Sequence, residues 1–181
     1  MVEYGNALYG IHYQWGIFRY HVGDSAWEAL PSARGTNDPT FQRVSAIGVG
    51  NGRLFVGYDG LWEGLFRWDE GSWTSMTPTP GDGTNKRETP RTIRVITSYQ
   101  GRLMMAGNGG SEITMRVSKD TSKIAFGDWH IVGNFCHIVD GCTMETWGIV
   151  GIGDTLYASS WNFVAKIPMN QLDEVSYPLY K

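Results

Sequence analysis

Residues 51–76 read NGRLFVGYDGLWEGLFRWDEGSWTSM. A glycine turn at 51–52 opens a short apolar run, LFVGY, a second turn leads into LFRW, and a third, DEG, leads into a run that begins with Trp73. Just ahead lies VSAIGVG, residues 44–50, so four short apolar segments follow one another across glycine-rich turns. Alternation of apolar and polar residues between such turns is the pattern of half-buried antiparallel strands, and no 3.6-residue period competes with it. The stretch therefore predicts a four-stranded meander, its strands called A to D in chain order.

The meander recurs. The turn and strand B of residues 51–58 have counterparts in GNALYGI at 5–11, QGRLMMAG at 100–107 and IGDTLYAS at 152–159. Each is followed by a strand C with one basic residue between apolar ones, at Arg19, Arg67, Arg116 and Lys166, spaced by 48, 49 and 50 residues. Strand D opens on Trp27, Trp73 and Trp129 in three units, and residues 175–180 are its counterpart in the fourth. Strand A is VSAIGVG, IRVITSY and WGIVGIG in the last three units and shortens to MVEYG in the first. Four repeats of about 45 residues with four strands each match the blade of a β-propeller, whereas a sandwich requires no such coincidence of order and spacing. The expected fold is all-β, a propeller of about four blades at 1–32, 43–77, 92–133 and 146–181 within one domain, 1–181. The A strands are the most glycine-rich, and Gly48, Gly50, Gly151 and Gly153 are expected to let neighbouring sheets approach near the axis. The short first strand and the atypical last one leave two edges, which a second copy of the chain is able to complete.

Composition agrees and excludes much else. Among 181 residues, 24 are glycine and 13% aromatic, while only 18% are charged, which suits many short strands and tight turns. A formal net charge of −3 provides no basic field for nucleic acid. No apolar run reaches the roughly 18–20 residues that span a bilayer, and the N-terminus lacks the basic start and hydrophobic stretch of a signal peptide. Membrane insertion is not expected, and location stays open between intracellular, extracellular and virion settings. Cys136 and Cys142, with His137 and Asp140 between them, leave free thiols, a disulfide and a metal fragment open, although C-H-x-x-D-x-C matches no standard zinc spacing. No metal or cofactor is expected.

The turns between strands C and D resemble degenerate Asp-boxes, the S-x-D-x-G-x-x-W hairpins of sialidase-like propellers. The matching residues are Asp69, Gly71 and Trp73 in the second unit, Gly23, Asp24 and Trp27 in the first, and Ser118, Asp120, Gly127 and Trp129 in the third. That resemblance implies a structural role: an Asp that caps its own turn and a Trp that packs between blades. It implies no activity, since the arginine cluster, Tyr nucleophile, Glu and Asp of sialidase catalysis are not found. Arg19, Arg67 and Arg116 share one place in strand C and read as solvated or inter-blade cations. Nor is there a G-x-S-x-G elbow, a His-Glu-x-x-His motif or a phosphate loop.

The repeat also sorts the loops. In a meander the B to C and D to A connections emerge on one face, and here that face carries the long segments 31–42, 77–91 and 133–145. Long irregular loops on a rigid scaffold are where binding residues concentrate. Three B to C turns carry a tryptophan, Trp15, Trp62 and Trp161, each able to stack on a sugar or anchor a protein partner. Asn37, Asp38, Glu63, Asn85, Arg87 and Asn162 lie beside them in sequence and add direction by hydrogen bonds. The expectation is a non-enzymatic recognition or structural module that binds a glycan or a protein through this face, as a lectin-like domain or as a docking piece of a viral tail or cell-surface assembly. The alternative is a glycosidase- or lyase-type enzyme whose carboxylates, among Asp38, Asp82, Asp140 and Glu145, stand about 5–10 Å apart.

Overall fold

The computed structural model describes residues 1–33, 43–50, 52–59, 64–76, 92–108, 115–118, 129–133, 146–159 and 164–171. They form four antiparallel sheets, each a meander of consecutive strands. The first contains β1 (Val2–Tyr4), β2 (Ala7–His12), β3 (Gly16–His21) and β4 (Glu28–Ala29). The second contains β5 (Val44–Gly50), β6 (Arg53–Tyr58), β7 (Leu65–Asp69) and β8 (Ser72–Ser75). The third contains β9 (Thr92–Tyr99), β10 (Arg102–Asn108), β11 (Met115–Ser118) and β12 (Trp129–Gly133). The fourth shows β13 (Gly148–Ile152), β14 (Thr155–Ser159) and β15 (Val164–Pro168), followed by a single 3-10 turn, Met169–Gln171. The expected fourth strand at 175–180 lies outside the described residues, as do Cys136 and Cys142.

Sheets stack in chain order. Strands β1 and β2 meet β5, β5 and β6 meet β9, and β9 meets β13. Among the described residues no comparable contact joins the fourth sheet to the first, so the four sheets form an open succession. The core is correspondingly three seams, one between each pair of neighbours.

Strand alternation gives every sheet a forward face, toward its successor, and a rear face. The leucine that opens each strand B points to the rear, and the residue after it points forward. Tyr9 of the first sheet thus shares a cluster with Leu54 of the second, Phe55 with Leu103 of the third, and Met104 with Leu156 of the fourth. All six are buried. One sequence offset therefore builds the same contact three times over.

Glycine sets how closely the seams approach. A Cβ on Gly57 would stand 2.6 Å from the Cβ of Ile93, and one on Gly50 would stand 2.5 Å from Leu103 Cδ1. Gly48 and Gly151 are likewise closed off by Ile96 and by the Tyr99 ring. Gly153 differs from the expectation: with φ of +57° it serves the β13–β14 turn and has nothing near its Cβ position, so it answers a backbone need rather than a packing one. Hydrogen bonds reinforce the seams, Ser45 Oγ donating to the Ile93 carbonyl at 2.5 Å and Tyr99 Oη to the Gly153 carbonyl at 2.6 Å.

The basic residues of strand C do not all share one position. Arg19, Arg67 and Lys166 lie opposite Tyr9, Phe55 and Tyr157, the forward residue of each strand B. Arg116 lies opposite Met105, one residue further along, so even spacing in sequence concealed a one-residue slip in register, which exchanges the two faces of a strand. Nor are the arginines simply solvated. Arg19 holds Glu28 on the adjacent strand at 2.6 Å, a contact that raises the guanidinium pKa, and Arg67 holds Asp69 at 2.7 Å.

The turns between strands C and D use their aspartates differently. Asp24 accepts the backbone N–H of His21 at 3.0 Å and so caps its turn as expected. Asp69 is instead gripped by the Arg67 fork, with Arg53 at 3.1 Å, and these partners hold its carboxyl below the usual range, the Arg67 hydrogen bonds most of all. Trp73 packs into both clusters of the first seam, and its indole N–H donates to the Pro31 carbonyl at 3.0 Å.

Candidate functional site

The meander sends the β2–β3 and β6–β7 turns to the same rim as the starts of β5, β9 and β13. On this rim a polar belt runs across the sheets. Tyr13, in the first turn, donates its hydroxyl to Asp59 Oδ2 at 2.9 Å. Asp59 follows β6, and its other oxygen accepts from Thr92 Oγ1, the first residue of β9, at 2.5 Å. The Asp59 backbone N–H donates to the Arg43 carbonyl at 2.8 Å, which fixes the carboxylate against the entry to β5. Arg94, two residues along β9, brings Nη1 to 4.0 Å from Asp59 Oδ2 and lays its guanidinium 5.5 Å from the centre of the Trp147 ring, just before β13. Tyr13, Asp59, Arg94 and Trp147 thus come one from each sheet.

Burial by itself would raise the Asp59 pKa, but hydrogen bonds from Thr92 and Tyr13, with the positive charges of Arg94 and Arg43, outweigh it and hold the carboxyl below its ordinary value. The Tyr13 hydroxyl shifts the other way, raised by desolvation and then by its bond to Asp59. Both shifts describe one proton, kept on the phenol and shared toward the carboxylate. An ionised Asp59 that accepts one hydrogen bond on each oxygen is held in place between the first and third sheets.

Aromatic rings stand around it. Trp15 is 72% exposed and stacks on His12 at 4.2 Å between centroids, 17° from parallel. The ring rests on its own turn, which is closed by the Trp15 backbone N–H donating to the His12 carbonyl at 3.2 Å, and does not fold over the neighbouring sheet. Tyr13 and Trp147 are also exposed. Next to Trp147, Thr146 is 1% exposed, and its hydroxyl has no hydrogen-bond partner among the described residues.

Of the nine residues singled out from the sequence, Trp15 is described. Trp62, Trp161, Asn37, Asp38, Glu63, Asn85, Arg87 and Asn162 lie outside the described residues, and so do the enzyme-type carboxylates Asp38, Asp82, Asp140 and Glu145. Sequence reasoning missed Tyr13, Asp59, Thr92 and Arg94. A signal existed: Tyr13 and Asp59 are 46 residues apart, the offset that also relates Leu8 to Leu54, so donor and acceptor occupy equivalent positions in adjacent units.

No protein-family model matches this sequence, and no curated protein matches it. Among solved structures the chain is similar to PorZ, an essential bacterial surface component of the type-IX secretion system of Porphyromonas gingivalis, with a TM-score of 0.69 and 14% identity over 94% of this chain and 24% of that one. It is similar to the computationally designed Ika8 protein, with a TM-score of 0.55 and 10% identity over 93% of this chain and 44% of that one. A third is YCF48 bound to D1 peptide, with a TM-score of 0.50 and 12% identity over 93% of this chain and 53% of that one. The chain thus spans between a quarter and about half the length of these structures. At such identities the likeness concerns fold alone: the chain is all-β, with four antiparallel sheets in a β-propeller-like arrangement.

Proposed function

We propose that this chain is a non-enzymatic recognition module that binds a protein partner, in the form of an extended polypeptide segment, along the rim of the B to C turns. The observation that carries this reading is the belt from Tyr13 through Asp59 and Arg94 to Trp147, which sets exposed aromatic rings beside oriented charges across all four sheets. Aromatic surface supplies contact area at low entropic cost, and fixed charges supply direction. By their place in the sequence repeat, Trp62, Trp161, Asn37, Asp38, Glu63, Asn85, Arg87 and Asn162 belong to the proposed contact set. The D1 peptide bound in the YCF48 structure supports a protein rather than a glycan as partner. Residues 1–181 act as one domain of propeller-type blades at 1–32, 43–77, 92–133 and 146–181, and the turn capped by Asp24 is a degenerate Asp-box.

The test is a display library of random peptides panned against the immobilised chain, with a glycan array in parallel. Enriched peptides whose binding is lost in Trp15→Ala and in Arg94→Ala support the reading. Glycan binding without peptide enrichment overturns it.

A further inference from the structure

Among the described residues, the stacking rule that builds the core leaves one forward face and one rear face without a covering sheet. Leu54, Leu103 and Leu156 are each 0% exposed at a seam, yet Leu8, their counterpart on the rear of the first sheet, is only partly buried. Tyr9, Phe55 and Met104 are buried on forward faces, yet Tyr157, their counterpart on the fourth sheet, is only partly buried. Both open faces are apolar. By register, Val150, Ile152 and Val164 share the forward face with Tyr157, and they are 54%, 63% and 66% exposed. The rear of the first sheet presents Leu8, Phe18, Tyr20 and Ala29, with Trp27 exposed over Gly10 and tilted against Tyr20. Trp27 corresponds to Trp73, which the first seam covers.

We propose that these two faces dock on each other between two copies of this chain, head to tail, Tyr157 of one meeting Leu8 of the other as Tyr9 meets Leu54, Phe55 meets Leu103 and Met104 meets Leu156. The occupant follows from the pattern: three times within the chain a forward face is covered by the rear face of the next repeat, and the rear face left over is that of the first sheet. Charge agrees among the described strand residues, the forward face carrying Lys166 and the rear face Glu3. A head-to-tail contact is heterologous and closes only as a ring. Two copies bring eight sheets, the upper end of the usual range of about four to eight blades, whereas three exceed it.

Light scattering on the purified chain across a concentration series tests this. The expected mass is about twice 20.2 kDa. Leu8→Lys and Tyr157→Lys should each return it to that of one chain, with Ala29→Lys and Val150→Lys, at exposed positions, serving if either of the first pair fails to fold. An equimolar mixture of a rear-face and a forward-face variant should recover the doubled mass, because one seam of such a pair is unaltered. A single-chain mass at every concentration overturns the proposal. So does an assembly broken by variants of only one face, which is the mark of that face pairing with itself, and so does a mixture that fails to reassociate.

Discussion

The Tyr13 hydroxyl and the Asp59 carboxylate, 46 residues apart and 2.9 Å from each other, occupy equivalent positions in successive sheets. Because Thr92 engages the other oxygen of Asp59, one side chain ties three sheets. Removing the exposed donor in Tyr13→Phe should cost about 0.5–1 kcal/mol, whereas Asp59→Ala strands the part-buried Thr92 hydroxyl and should cost roughly 1–3 kcal/mol. Urea unfolding midpoints at constant slope provide the measurement, and equal effects of the two changes would contradict the belt.

The depressed pKa values of Asp59 and Asp69 predict an acid limb in stability. Each folded-state value lies below its unfolded value near 3.8, so the stabilisation is fully present above that pH and disappears as pH falls through the folded values. Asp59→Asn and Asp69→Asn should each flatten the fall in melting temperature below about pH 4. An unchanged acid limb in the double variant would exclude both groups as its source.

Two tryptophans should separate binding from folding. Trp15→Ala removes an exposed ring resting on its own turn and should alter stability by no more than about 0.5 kcal/mol while abolishing partner binding. Trp73→Ala opens the seam between the first two sheets and should cost about 3 kcal/mol. Trp62→Ala should behave like Trp15→Ala. Comparable thermal losses in all three variants, with binding intact, would argue against the rim.

Glycines in the seams should tolerate no methyl group. Gly57→Ala places a Cβ 2.6 Å from that of Ile93, and Gly151→Ala drives one into the Tyr99 ring, so each should cost about 1–3 kcal/mol through overpacking. An alanine at Gly10 meets only the Trp27 ring edge at 3.6 Å, an ordinary contact, and should be nearly neutral there. Chemical denaturation of the three variants ranks them.

Strand order and sheet number were legible because β-structure writes a local signal: alternation fixes a strand, glycine fixes a turn, and repetition every 48–50 residues fixes the sheet. The roles of Gly48, Gly50 and Gly151 were legible for the same reason, since small residues in a crowded strand have few other uses. Gly153 was misread because a turn glycine and a packing glycine look alike in sequence; only φ and the empty space around its Cβ position separate them. Arg116 was misread because counting residues along the chain ignores register, and one residue is enough to exchange the faces of a strand.

The sequence by itself determined the repeat, the four-stranded meander and the rim on which the connections emerge, because each follows from local pattern and chain direction. Only the tertiary structure decided which side chains meet there. The bond between Tyr13 and Asp59, the clasp of Thr92 and the stacking of Arg94 on Trp147 join residues from four different repeats, and no local rule specifies such partners. It decided also that the stack is open among the described residues, since whether a last sheet reaches the first depends on twist and spacing accumulated over every seam rather than on any residue in one.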